Sequence, residues 1–448
     1  MARSDEISVW DAAAAFGSLR PRFGLDQAAA ALTQFPVECV AQTVLAQGTA
    51  RQVIRRLEAV TPDLAGQLRK QSAVTRHLER IDSVAAGRTS CLEFLDEILK
   101  RIEISAWGIK GVAALCWYGD SADRDLGDVD VMVSSVADGF ALAAELLAAG
   151  YDYDERELPW LKRDYDGTLY GQANLRSEPP GTRPNIDIHF GGYSVRHSGR
   201  LPVAVMPGSH GLSYYDMQSN LPMIVGNSAG DCWITVKDMN DLYLALSSTK
   251  ELDWPPLLES LREVRLLEFF NQMLRMLRKT HALEPDTEEL LARLTTLIGR
   301  PGEWPAPGPR RSMMRRSLAT TLHAARLGLR RSPWDAVVQA STAARYYSGR
   351  LALRPRIGNR RTDFPRLNSW TCIRLVPVTL VAGKWNIAAC PSAHTEEVIP
   401  GVHSDTVTVI HTPSGDLLKA ARTVFAPTVY GKLDTHLVAA GAALAEVS

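Results

Sequence analysis

The chain has 448 residues, 46% of them hydrophobic and 22% charged, and its 50 Lys and Arg balance 50 Asp and Glu. This is the composition of an ordinary globular protein, long enough for two or three domains. No segment approaches the ~20 consecutive apolar residues of a membrane span, so no membrane is expected as a partner.

The N-terminal "MARSDEISVWDAAAAFGSLRP" carries early acids and no apolar core of signal-peptide length, which predicts a cytoplasmic protein. Apolar residues then recur at helical spacing in "DQAAAALTQF", "ARQVIRRLEAV", "LAGQLRKQSAVTRHLERI" and "SCLEFLDEILKRI". "SVAAGRTS" reads as a loop whose Ser90 caps the last of these helices. Residues 1–95 are thus predicted to form a helical N-terminal lobe. In 96–234 the pattern changes to short strands and helices. "EISAWGIKG" ends at a glycine, "VAALCWYGD" reads as a helix, "DVDVMVSS" as a β-branched strand, and "DGFALAAELLAAGY" as a helix closed by Gly150. The charged stretch 152–184 reads as irregular, and "NIDIHFGGYS" as a further strand. A helical region follows over 235–300. In 301–362 a Gly- and Pro-rich linker leads into an Arg-rich helical segment. Over 363–448, "TCIRLVPVTLVAG", "WNIAAC" and "TVTVIHTPSGD" read as strands of a C-terminal β-rich region, closed by helix. The six cysteines are scattered singly, with no C-x-x-C pair and no histidine at ligand spacing, so neither a disulfide framework nor a zinc site is expected.

Two features carry charge where it has to be explained. Alternation along a strand places Asp128 and Asp130 of "DVDVMV" on one face, and Val129 and Val131 on the other. Two carboxylates so close raise the cost of ionising each other unless a cation shares the site. Mg²⁺ suits such a place, because it takes one or two carboxylates together with phosphate and water oxygens. Asp187, between Ile186 and Ile188 in the second apolar strand, is the candidate third carboxylate of a two-ion site, with His189 on the same face. The other feature lies between Pro305 and Arg361, where thirteen Arg, no Lys and the single acid Asp335 occur. That density suits a nucleic-acid footprint, and equally a basic face packed on an acidic surface. Only Trp334, Tyr346 and Tyr347 supply aromatic rings there, and no recognisable nucleic-acid motif is present.

"IKGVAALCWYGDSADRDLGDVDVMV" followed by "NIDIHF" resembles the uncharacterised nucleotidyltransferase family, whose members read approximately lKG-x-A-l-x-x-Y…R-x-x-D-h-D-l-l-V…h-D-l-H. The likeness covers residues 95 to about 250. It implies an α+β fold: a core like that of DNA polymerase beta, a mixed sheet with helices, here flanked by helical lobes and the C-terminal β-rich region. It also implies a Mg²⁺-dependent transfer of an NMP, with ATP the expected donor, to a small-molecule or peptide acceptor with release of pyrophosphate. By position, Asp128, Asp130 and Asp187 would be the metal ligands for two Mg²⁺ ions, with Asp187 also placed to act as general base. Gly111 would lie close to the phosphates, Lys110 and Lys237 would contact them, and Arg124 would be a charge partner near the triphosphate. Two departures are visible: the fold's usual Gly-Ser before the helix is Gly111-Val112 here, so no hydroxyl is offered to a phosphate, and the gap of 17 residues from Gly111 to Asp128 is longer than in many relatives. By analogy the extra segments suggest specialised-metabolite biosynthesis. A metal-dependent glycosyltransferase using a nucleotide sugar and a catalytically inactive nucleotide-binding protein are the alternatives.

Overall fold

The structure is a computed structural model that describes residues 7–447 apart from 121–122, 154–156, 165, 178–182, 196–198, 204–209, 232, 249–251, 300–317, 319–320, 323, 327–328, 330–331, 335, 338–339, 342–343, 345–352, 358–371, 399–406 and 430. The linker beyond Gly299 and most of the Arg-rich segment lie outside the described residues.

The chain begins with helices α1 (Val9–Gly17), α2 (Leu25–Leu32), α3 (Val37–Gln47), α4 (Ala50–Val60), α5 (Pro62–Arg69) and α6 (Ser72–Arg101). Next come β1 (Ser105–Gly108), α7 (Gly111–Ala114), β2 (Val129–Val133), α8 (Val136–Ala148), β3 (Tyr151–Tyr153), β4 (Trp160–Arg163), β5 (Leu169–Ser177), β6 (Ile186–Phe190), β7 (Tyr193–Val195), β8 (Gly199–Leu201) and β9 (Gly211–Tyr214). Five helices follow: α9 (Met217–Asp231), α10 (Val236–Ser247), α11 (Trp254–Glu263), α12 (Leu267–Thr280) and α13 (Pro285–Ile298). The last described elements are β10 (Arg354–Arg356), β11 (Ile373–Pro377), α14 (Val378–Trp385), β12 (Thr395–Val398), β13 (Val407–Thr412), β14 (Gly415–Ala420), β15 (Thr423–Thr428), β16 (Lys432–Asp434) and α15 (Thr435–Val447). The protein is therefore α+β.

The chain folds into two compact units, each assembled from three separate stretches. The first unit comprises Met1–Gly87, Ile109–Gly127 and Tyr214–Ala319. It is helical. Ser8 caps α1 by accepting the Asp11 N–H, and the buried run Ala12–Ala15 with Phe16 gives that helix a slim surface. Neighbours can therefore approach closely, and Leu32, Val44, Val53, Ile54 and Leu57 complete one apolar cluster with it. α10 starts at a capping box between Thr235 and Asp238 and packs against α1, α12 and α13.

The second unit comprises Arg88–Gly108, Asp128–Ser213 and Thr320–Ser448. Its main sheet runs β12-β13-β14-β15-β11-β4-β5-β6-β2-β1-β9, with β3 beside β5. β2 and β6 are parallel, while β1 on one side and β5 on the other run antiparallel to them. α8 covers the apolar face of these strands, with the ring of Phe140 5.4 Å from those of both Phe190 and Phe425. A Cβ at Gly139 would come within 2.4 Å of Phe190 Cδ1, so only a glycine lets β6 seat that ring against the helix. With Ile186, Ile188 and Phe190 facing α8, the alternate residues Asp187 and His189 occupy the opposite face.

Four expectations need correction. The loop expected over residues 83–90 is the middle of α6, which is continuous for 30 residues. The stretch 152–184 is not irregular, since it supplies β3, β4 and β5. "VPVTLVAG" is only partly strand: after Pro377 it turns into α14, whose buried Val378, Val381 and Ala382 have helical spacing. "WNIAAC" forms no strand. The C-terminal strands, in turn, extend the sheet that carries Asp130, because β11 pairs with β4.

Candidate active site

In the second unit β2 and β6 lie side by side with Asp130 opposite Asp187 and Met132 opposite His189. Paired positions in adjacent strands are about 4.8 Å apart and point to the same face. Asp128 stands just before β2, two residues from Asp130. Asp130 is 4% exposed and His189 3%, and His189 Nε2 lies 3.3 Å from Asp130 Oδ1. The His189 ring also sits 5.1 Å from that of Tyr193.

β5 adds two amides that the sequence reading missed. Gln172 is the register partner of His189 and Asn174 that of Asp187. Gln172 Nε2 donates to Asp187 Oδ2 at 3.2 Å, and Asn174 Nδ2 donates to Glu157 Oε2 at 2.6 Å. The strand signal that would have exposed them is weak, because the inward positions that alternate with them are Gly171 and Ala173. Gly171 has its own reason: a Cβ there would lie 2.1 Å from the Trp160 carbonyl oxygen.

The face therefore offers Asp130 and Asp187 as hard oxygen donors, with Asp128 two residues before Asp130 in the chain, and His189 and Gln172 as the side chains that touch the paired two. This donor chemistry fits a divalent cation of the Mg²⁺ kind. Among the described residues no group of three or more His, Cys, Asp or Glu is already drawn around a common point at which it could hold a metal.

The other sequence-predicted residues belong to the first unit. Lys110 has φ 50° and ψ −118°, a conformation that ordinarily calls for glycine, at the second position of a turn closed by the Val112 N–H to the Ile109 carbonyl at 3.2 Å. Asn220, fully buried on α9, clamps this turn: its Oδ1 accepts the Lys110 N–H at 2.5 Å and its Nδ2 donates to the Lys110 carbonyl at 2.9 Å. Gly111 is required by its neighbours, since a Cβ would fall 2.5 Å from Arg124 Nη1 and 2.6 Å from Leu126 Cδ1.

Arg124 forms a bidentate pair with Asp241 on α10, Nε to Oδ1 at 2.9 Å and Nη2 to Oδ2 at 2.8 Å, and the Tyr118 hydroxyl donates to the same Oδ1 at 2.7 Å. All three are buried. Burial opposes the guanidinium charge, but the Asp241 carboxylate outweighs it and holds the Arg124 pKa above its ordinary value. Burial, and then the same carboxylate, push the Tyr118 hydroxyl up. Two sides of the Arg124 fork are thus engaged by a carboxylate of its own unit. Lys237, in the first turn of α10, runs alongside Gly48, its Cβ 3.4 Å from where a Cβ at that glycine would lie.

The sequence profile of a family described as uncharacterised nucleotidyltransferase matches residues 41–281, more than half of the chain. No curated protein and no solved structure matches it. No helix among the described residues is long and apolar enough to cross a membrane.

Proposed function

The chain belongs to the uncharacterised nucleotidyltransferase family, and from that premise we propose a Mg²⁺-dependent enzyme with a polymerase-beta-like core that moves AMP from ATP to a small-molecule or peptide acceptor. The observation that carries the reading is the register of Asp130 against Asp187 on two parallel strands, with Asp128 two residues before Asp130. Such a row of carboxylates is unfavourable by itself and becomes favourable around a cation.

In this reading Asp128, Asp130 and Asp187 hold the divalent cations, which when bound neutralise the triphosphate and polarise the α-phosphorus. Asp187 takes the proton of the acceptor hydroxyl or amine as that atom bonds to the α-phosphorus, and the bond from the α-phosphorus to the bridging oxygen breaks to release pyrophosphate. Gln172 fixes one oxygen of Asp187 and His189 borders Asp130, so both carboxylates meet the reactants in a set orientation. Lys110 and Lys237 contribute phosphate contacts. Gly111 and Arg124 hold the turn that presents Lys110.

The test is to titrate the full-length protein with each NTP and with UDP-sugars in the presence of Mg²⁺, and to follow α-labelled nucleotide and released pyrophosphate. ATP is expected to bind, and Asp130→Asn and Asp128→Asn to abolish turnover without unfolding the chain. A protein that binds UDP-sugars and no NTP would be a glycosyltransferase instead, and wild-type turnover in an Asp128→Ala/Asp130→Ala chain would remove the metal site from the mechanism.

A further inference from the structure

The first unit holds the reverse of the carboxylate row, a gathering of bases. His77 and Arg80 lie one turn apart on α6, so they share a face. Arg80 Nη2 reaches Gly127 closely enough that a Cβ there would be 2.5 Å away. Arg51 is tied to the same neighbourhood, its backbone N–H to Asp125 Oδ2 at 3.3 Å and its Nη2 to Asp82 Oδ1 at 2.7 Å. Lys237 is near enough for its charge to act on both His77 and Asp125.

Two nitrogens in this group, His77 Nε2 and Arg51 Nε, are buried and have no hydrogen-bond partner among the described residues. Buried polar atoms are nearly always satisfied in folded proteins, so a pair of orphans beside cations marks a place for an acceptor. The acids present do not fill it. Asp82 is mostly exposed and already pairs with Arg51, Asp125 is buried with its carboxyl raised by that burial, and Asp238 belongs to the capping box of α10. Burial, then Arg80 and Lys237, lower the His77 pKa.

We propose that Arg51, His77, Arg80 and Lys237 form a polyphosphate-binding cluster within the first unit. Arg80 and Lys237 supply charge, and the His77 and Arg51 ring and guanidinium nitrogens supply oriented donors. That the polyphosphate belongs to a nucleotide rests on the nucleotidyltransferase reading. The anion chemistry does not.

Calorimetric titration of the full-length protein with inorganic tripolyphosphate, and separately with MgATP, tests the cluster. Arg80→Gln and Lys237→Gln should each weaken tripolyphosphate binding about tenfold or more, with a shallower salt dependence and an unchanged melting temperature. His77→Ala should weaken it without changing the salt dependence. The inference is overturned if the folded Arg80→Gln and Lys237→Gln chains bind tripolyphosphate like the wild type, or if the wild type does not bind it. Unchanged MgATP binding and AMP transfer in both variants would remove the cluster, and with it the Lys237 phosphate contact, and leave the carboxylate site of the transferase reading intact. Tripolyphosphate binding that is lost in the variants of a chain with no nucleotidyl transfer would do the opposite.

Discussion

His281 shows how much one buried side chain can set. It is 2% exposed, stacked on Tyr243, with Nε2 2.8 Å from Asn240 Oδ1, and burial followed by the Arg56 charge lowers its pKa from 6.5 to about 3. Between those two values the unfolded chain binds a proton that the folded one refuses. Stability from this residue is therefore complete above pH 6.5 and is lost as the pH falls toward 3, by on the order of a few kcal/mol. His281→Gln should flatten the fall in melting temperature over that window relative to the wild type, and identical slopes would contradict the assignment. Gly139 sets geometry instead of charge. Gly139→Ala should destabilise by about 1–3 kcal/mol, seen in thermal melts, because its methyl group displaces Phe190. The same shift moves the strand that carries Asp187, so Mg²⁺-dependent nucleotide binding should weaken as well. The aspartates were legible in the sequence because a charge inside an apolar alternation stands out. Gln172 and Asn220 were not, since a neutral amide looks the same whether it orients a carboxylate or faces water.

At the level of elements, what could be read depended on whether an element's period was visible in its own residues. α8 and β2 announce themselves. β5 does not, because two of its inward positions are Gly171 and Ala173, and β-strand signals rest on large or branched side chains. α14 was hidden the other way, by β-branched valines at positions whose spacing is helical once Pro377 has ended the strand. α6 carries Gly87 within a stretch of serines and alanines that resembles a loop, and its flanking turns carry the helix through. The contact between α10 and the segment after α7 was invisible because it joins Arg124 to Asp241, residues distant in sequence. With both side chains below 5% exposure, Asp241→Asn leaves a buried guanidinium without its counter-charge. A loss of about 3–5 kcal/mol is expected in chemical denaturation, with Arg124→Lys milder but not neutral because lysine cannot restore both bonds. A loss below about 1 kcal/mol would mean that the pair is solvated in solution.

At the scale of the molecule, sequence gives composition boundaries near residues 95, 234, 300 and 362, whereas the second unit draws one sheet from three stretches of chain. Pairing between strands far apart in sequence leaves no local periodicity to read. β11 closes the edge of β4 that β5 leaves open, and Phe425 of β15 packs on Phe140 of α8 and, edge-on at 5.6 Å, on Tyr153. The residues after 362 therefore help hold the helix against which β6 is seated. A chain ending at residue 362 should fail to fold its sheet, because β4 would present an unpaired edge and α8 would lose Phe425 from its buried face. Phe425→Ala in the full chain separates these effects: it keeps every strand, removes one ring, and should cost about 3–5 kcal/mol while weakening Mg²⁺-dependent nucleotide binding. A truncated chain with the wild-type melting profile and nucleotide affinity would show the C-terminal strands to be an appendage, whereas a single cooperative loss of β structure and binding in both variants is the outcome expected of a sheet that folds as one.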